Sequence, residues 1–213
     1  MKKEGLIELM LFFSNKVKLK NSTALKHFGF LKTFLRYAVK KEYTDITDFH
    51  DFKPKLKKTK KKIIFFTEEE LELIKDLEIP SEKLYLKRVR DVLLFLCFTG
   101  LRYSEAFNLK RSQINDNSLS IITKKTHDSL TIELNETSKA ILDKYSDIPF
   151  KKDKALPVIS NQRFNDYIKE LAELAEINEP VVETFFVGTK RYDTTKPKYE
   201  HVTIHIGRRT FKS

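Results

Sequence analysis

The chain has 213 residues, 40% of them hydrophobic and 33% charged, with 17 Phe and 8 Tyr, which is enough apolar surface for a packed core and excludes a disordered chain. A single cysteine excludes an internal disulfide, and no run approaches the ~20 apolar residues of a membrane span. Residues 1–62 hold 17 Lys+Arg against 6 Asp+Glu, so the formal net charge of +11 lies entirely in the N-terminal third, and a basic module joined to a neutral one points to a polyanionic partner.

The chain opens on basic residues followed by apolar ones, but Glu8 interrupts the apolar run and no small-residue cleavage site follows, so residues 6–17 read as a helix rather than a signal peptide. From Ser22 to Tyr43, the positions Leu25, Phe28, Leu31, Phe34, Leu35, Ala38 and Val39 recur at three- and four-residue steps. That spacing predicts an amphipathic helix with Asn21 or Ser22 as its cap. Its opposite face carries Lys26, His27, Lys32, Arg36, Lys40 and Lys41.

Residues 53–62 contain seven lysines and Pro54, and their self-repulsion predicts an extended linker. Three roles fit it: a solvated connector, a localisation signal, or a strap across phosphates. A second domain then opens on a capping box, Thr67 with Glu70, ahead of the apolar stripe Leu71, Ile74 and Leu77. A helix is expected from Glu82 to Phe98, ending at Thr99-Gly100. The β-prone runs 119–123 and 130–134 flank a polar hairpin tip holding Lys124 and Lys125. Helical patterns return at 137–145 and 161–177. Residues 181–188 and 200–204 read as two further strands with a polar connection, 189–198, between them. The resulting fold class is mainly α with small antiparallel β-sheets (α+β).

Three segments carry chemistry-bearing residues. Thr99-Gly100-Leu101-Arg102-Tyr103-Ser104-Glu105 places an arginine just past a helix end; the hairpin tip offers a lysine; and His205 and Arg208 fall three apart on one helical face. Each alone is a common pattern. Together they resemble the tyrosine recombinases (phage integrases, closest to those of mobile genetic elements), with Thr-Gly-Leu-Arg-x-x-Glu as the first arginine box and His205-x-x-Arg208-Arg209-Thr210-Phe211 as the second. The resemblance runs from Ser22 to the C-terminus.

The resemblance implies a DNA strand-exchange enzyme. Arg102 and Arg208 would clasp the scissile phosphate, since a guanidinium offers paired donors and stays charged. Lys125, preferred to Lys124, would protonate the departing 5′-hydroxyl. His205 would bond the phosphate or handle the nucleophile's proton. Glu105 would orient an active-site arginine or histidine, with a structural ion pair as the even alternative. No metal or cofactor is implied.

The implied DNA contacts are Lys26, Lys32, Arg36, Lys40, Lys57, Lys58, Lys60 and Lys61. The expected domains are a partial helical core-binding (DNA-clamp) domain at 1–52, the Lys-rich linker at 53–64, and a C-terminally incomplete catalytic domain at 65–213. The family's nucleophilic tyrosine would lie beyond the second box, and no tyrosine follows Arg208 here. The expectation is therefore a cytoplasmic, nucleoid-associated fragment, monomeric and inactive by itself, of an enzyme that works as a tetramer on double-stranded DNA. The competing readings are a DNA-binding accessory protein derived from an integrase and a type IB topoisomerase-like enzyme.

Overall fold

A computed structural model describes residues 3–60, 62–122 and 129–211. In chain order its main elements are α1 (Lys3–Leu11), continued by a π-turn at Phe12–Lys16, α2 (Asn21–Lys40), α3 (Glu68–Asp76), α4 (Tyr85–Thr99), α5 (Tyr103–Asn108), β1 (Ser118–Ile122), β2 (Ser129–Glu133), α6 (Glu136–Lys144), α7 (Asn161–Leu174), β3 (Pro180–Val187), β4 (Lys190–Pro197), α8 (Lys198–His201) and α9 (Ile206–Thr210). β1 pairs with β2 antiparallel, Ile121 facing Leu130, and β3 pairs with β4. The chain is thus mainly α with two small sheets.

It forms two compact units, Met1–Lys62 with Val182–Thr195 and Ile63–Val181 with Lys196–Ser213. Residues 182–195, expected within the C-terminal domain, belong instead to the first unit. The reason is a buried amide: Asn21 Nδ2 donates to the Gly188 carbonyl at 2.9 Å and its Oδ1 accepts from the Gly188 amide at 2.8 Å. Asn21 therefore does not cap α2. The helix starts at that residue, and Lys20 precedes it without a side-chain cap bond.

The first unit packs Leu6, Met10, Phe28, Leu35 and Phe49 together, with Phe28 and Phe52 ring centroids 5.2 Å apart. Most of the expected apolar stripe of α2 faces this cluster. Phe34 is the exception, at 64% exposed. With 100° per residue, Phe34 falls well round from the line through Phe28 and Leu35, so only Leu35 can point inward. Residues 53–60 take neither helix nor strand.

The second unit is organised around α4. Leu86, Val89 and every side chain from Val92 to Cys97 are buried, so this helix is apolar nearly all round and packs against α3, α6, α7 and α9. Its one buried carboxylate, Asp91, accepts from Lys144 Nζ and Tyr145 Oη, both at 2.6 Å. The expected capping box is present: Thr67 accepts from the Glu70 amide and Glu70 from the Thr67 amide. A strand expected at 200–204 is not one. Val202 and Ile204 are buried in the core beyond the short α8, and the polar stretch expected to connect two strands is itself the return strand β4.

Two buried acids make this unit sensitive to alkali. Burial pushes the Cys97 thiol up to about 12, and burial and then the Asp91 bond push the Tyr145 phenol above its ordinary range. Both folded values exceed the unfolded ones, so their contribution is intact below the ordinary thiol value of 9.0 and is lost as pH rises past it. Between that value and the folded one, Cys97 alone removes about 1.4 kcal/mol per pH unit. Thermal melts should hold steady up to about pH 9 and then fall; the double variant Cys97→Ala, Tyr145→Phe should melt lower at neutral pH but lose less in alkali. An unchanged alkaline slope would contradict this account.

Candidate active site

The C-terminus of α4 sets the first arginine. Gly100 closes the helix in the left-handed region at φ 63°, where a side chain is strained, and turns the chain into α5. Arg102 stands immediately before α5 in extended conformation, and its amide donates to Glu105 Oε2 at 2.7 Å while its Nη1 donates to Glu105 Oε1 at 2.8 Å. Glu105 is buried, with 3% of its side chain exposed, whereas 35% of the Arg102 side chain is exposed. One carboxylate therefore both starts α5 and anchors one edge of a guanidinium on a side chain that stays partly exposed.

The second arginine box lies on α9, packed on α4. Gly207 meets the α4 backbone closely, an ideal Cβ there lying 2.8 Å from Leu96 Cβ and 3.0 Å from the Leu96 carbonyl carbon. Thr210 Oγ1 accepts from the Phe66 amide at 3.0 Å and also bonds the Cys97 thiol. The Ile204 amide donates to Asn165 Oδ1 on α7 at 2.9 Å. These contacts hold the start of α9, where His205 is exposed and Arg208 half-buried. Phe211 lies against Gly100, the residue two before Arg102. The fold thus brings the two boxes, about a hundred residues apart in sequence, onto the same end of one buried helix.

Between α5 and β1 runs an open groove of about 380 Å³, lined by Ser104, Glu105, Asn108, Lys110, Gln113 and Ile122 among others. β1 leads directly into residues 123–128, so Lys124 and Lys125 lie outside the described residues, as does Lys61. The sequence reading missed the groove's polar wall. Lys110, Ser112 and Gln113 belong to no motif, and only their position after α5 brings them beside Glu105. Among the described residues, no group of three or more His, Cys, Asp or Glu gathers where a metal ion could be held. Cys97, buried and held protonated, is no nucleophile at neutral pH.

In the first unit, Lys26, Arg36, Lys40, Lys57, Lys58 and Lys60 are exposed. Lys32 differs: it is half-buried and its Nζ donates to the His50 carbonyl at 3.1 Å.

Residues 5–63 match the phage integrase SAM-like domain family. The whole chain overlays the lambda integrase (residues 75–356) bound as a dimer to a COC′ core site, with TM-score 0.71 and 16% identity over 99% of this chain and 69% of that one. The chain has the tyrosine-recombinase fold. The Tn1549 transposon integrase (residues 82–397), in complex with circular intermediate DNA, matches at TM-score 0.63 and 16% identity over 99% of this chain and 71% of that one. The site-specific recombinase XerH bound to difH substrate matches at TM-score 0.63 and 17% identity, and there the chain spans 58% of the other. At these identities the likeness is one of fold. No curated protein sequence matches the chain. Within the tyrosine-recombinase fold, the SAM-like match coincides with the basic first unit, and both arginine boxes lie in the second. Among the described residues, no helix is long and apolar enough to cross a membrane.

Proposed function

We propose that this chain is the DNA-holding and phosphate-clasping portion of a tyrosine-type site-specific DNA recombinase of a mobile element. The observation that supports the reading is that the segments carrying Arg102, anchored by the buried Glu105, and the His205–Arg208 turn both lie against one end of α4. Arg102 and Arg208 bind the non-bridging oxygens of the scissile phosphate and stabilise the charge that develops on them as phosphorus becomes five-coordinate. Lys125 gives a proton to O5′ as the P–O5′ bond breaks. His205 bonds the phosphate or takes the proton of the attacking hydroxyl. That hydroxyl is a tyrosine's, forming the 3′-phosphotyrosyl bond. The intact recombinase works as a tetramer on two duplexes, and residues 1–213 alone are monomeric.

Residues 1–213 alone bind duplex DNA through the first unit's lysines and arginine and leave the phosphodiester intact. On a nicked suicide substrate they should yield no covalent DNA adduct; an adduct surviving denaturation would overturn that half of the proposal. Binding should weaken steeply with salt, because each neutralised phosphate contributes about −0.9 to the slope of log affinity against log salt concentration. Changing Arg36 and Lys40 to Gln should reduce the slope by roughly two without altering sequence preference. A slope near zero in the unmodified chain would remove the DNA-holding role.

A further inference from the structure

A groove of about 350 Å³ lies within the first unit, where the start of α2, the linker residues 57–59 and the β3–β4 hairpin meet. Lys20, Lys26, Lys57 and Lys58 line it, with Phe185 and Phe186 as its apolar wall. The ammonium groups are not left to wander. Lys20 Nζ stands 4.1 Å above the Phe185 ring, Lys57 Nζ stands 5.5 Å from that of Phe186, and Phe185 is itself stacked on Tyr192 at 5.4 Å. The one carboxylate paired with these four cations among the described residues is Glu183, 3.2 Å from Lys20 and about as exposed as that lysine. Four cations against one anion along an open trough, two of them held over aromatic rings, suit a chain of regularly spaced negative charges better than a single small anion.

Asn21 joins the three parts. It is 2% exposed, and besides its two bonds to Gly188 its Nδ2 donates to the Lys57 carbonyl at 3.1 Å. A single buried amide thus sets both the path of the linker and the seat of the hairpin, and through them the positions of Lys57, Phe185 and Phe186. We infer that the β3–β4 hairpin forms one wall of a seat for the DNA phosphodiester backbone, and that Asn21 is the positioning residue that assembles it. This rests on the DNA-binding reading above and adds to it a wall, Lys20, and an architectural residue that no motif marks.

The test measures binding of a short labelled duplex to residues 1–213 across a range of salt concentrations, with thermal melts run in parallel. Lys20→Gln should lower the salt slope by about one. Glu183→Gln should tighten binding while changing the slope by less than one, because Lys20 already meets phosphate and is only freed of a competing carboxylate; a purely structural ion pair would give no tightening. Asn21→Ala should lower the slope by about two as Lys20 and Lys57 lose their fixed places. Phe186→Ala, a surface change, serves if the Asn21 variant does not fold, and should lower the slope by up to one. Steep salt dependence in the unmodified chain with no change in slope for Lys20→Gln, or with no tightening for Glu183→Gln, would overturn the inference and leave the DNA reading standing. A flat slope in the unmodified chain would instead remove the DNA reading itself.

Discussion

Gly207→Val should lower the melting temperature by roughly 6–12 °C, the equivalent of about 3 kcal/mol for a chain of this size. The first atom of any side chain at this position lies 2.8 Å from Leu96 Cβ, 3.0 Å from the Leu96 carbonyl carbon and 3.2 Å from the Cys97 amide nitrogen. Two of those three are backbone atoms of α4, which is buried among α3, α6, α7 and α9 and has no room to retreat. Relief must come from α9, which would lift away and carry His205 and Arg208 with it. Calorimetry measures the stability, and the exposed neighbour Arg209→Ala serves as control with little change expected. Gly100→Ala differs in mechanism. The three atoms nearest its Cβ all belong to the Phe211 ring, which is 53% exposed and free to swing, so the cost there is mainly the left-handed backbone, about 1 kcal/mol. A Gly207→Val chain that melts with the unmodified one would mean that α9 is not seated on α4 as described.

Glu105→Ala should cost about 2–3 kcal/mol, because it strands the Arg102 amide and releases its guanidinium. The buried carboxylate uses one oxygen for each, at 2.7 and 2.8 Å, so neither bond can be replaced by the other. Glu105→Gln keeps the shape and one acceptor but turns an amide NH2 toward an arginine donor, and should recover only part of the loss. Arg102→Ala leaves the carboxylate its backbone partner and should cost less than Glu105→Ala. In a longer chain supplied with a tyrosine after Arg208, Glu105→Gln should slow DNA cleavage far more than it weakens DNA binding. Equal melting temperatures for Glu105→Ala and the unmodified chain would show that the ion pair contributes nothing to the fold and would undercut the anchoring role given to Glu105.

Local chemistry made much of this molecule readable in advance. The capping box at Thr67, the apolar run of α4 and its glycine stop depend on residues within a few positions of one another, and each formed as expected. Readings failed where distant residues decide. Asn21 has the composition of a helix cap, yet its amide is taken by Gly188, which lies 167 positions away. Residues 190–197 alternate too weakly to announce a strand; they become one because β3, mostly half-buried, lies alongside and satisfies their backbone, while β4 itself is largely exposed. The apolar residues at 200–204 looked extended because Val202 and Ile204 alternate, but here they fill the core from a turn.

For the candidate site the division is similar. An arginine past a helix-ending glycine and a His-x-x-Arg turn are local patterns, each common by itself, and only their joint resemblance to the tyrosine-recombinase boxes picked these residues out. Whether they serve one phosphate was not legible in either pattern.

The amino-acid sequence by itself determined the mostly helical class and the basic first third, since period, charge and capping act over a turn or two of chain, and the resemblance of its two arginine boxes marked Arg102, Glu105, His205 and Arg208 as candidates. Only the tertiary structure decided that α9 lies on the buried end of α4 and that the hairpin joins the first unit. Those outcomes depend on close backbone approach at Gly207 and on one buried amide at Asn21. Contacts between residues so far apart in sequence leave no periodic trace in either segment alone.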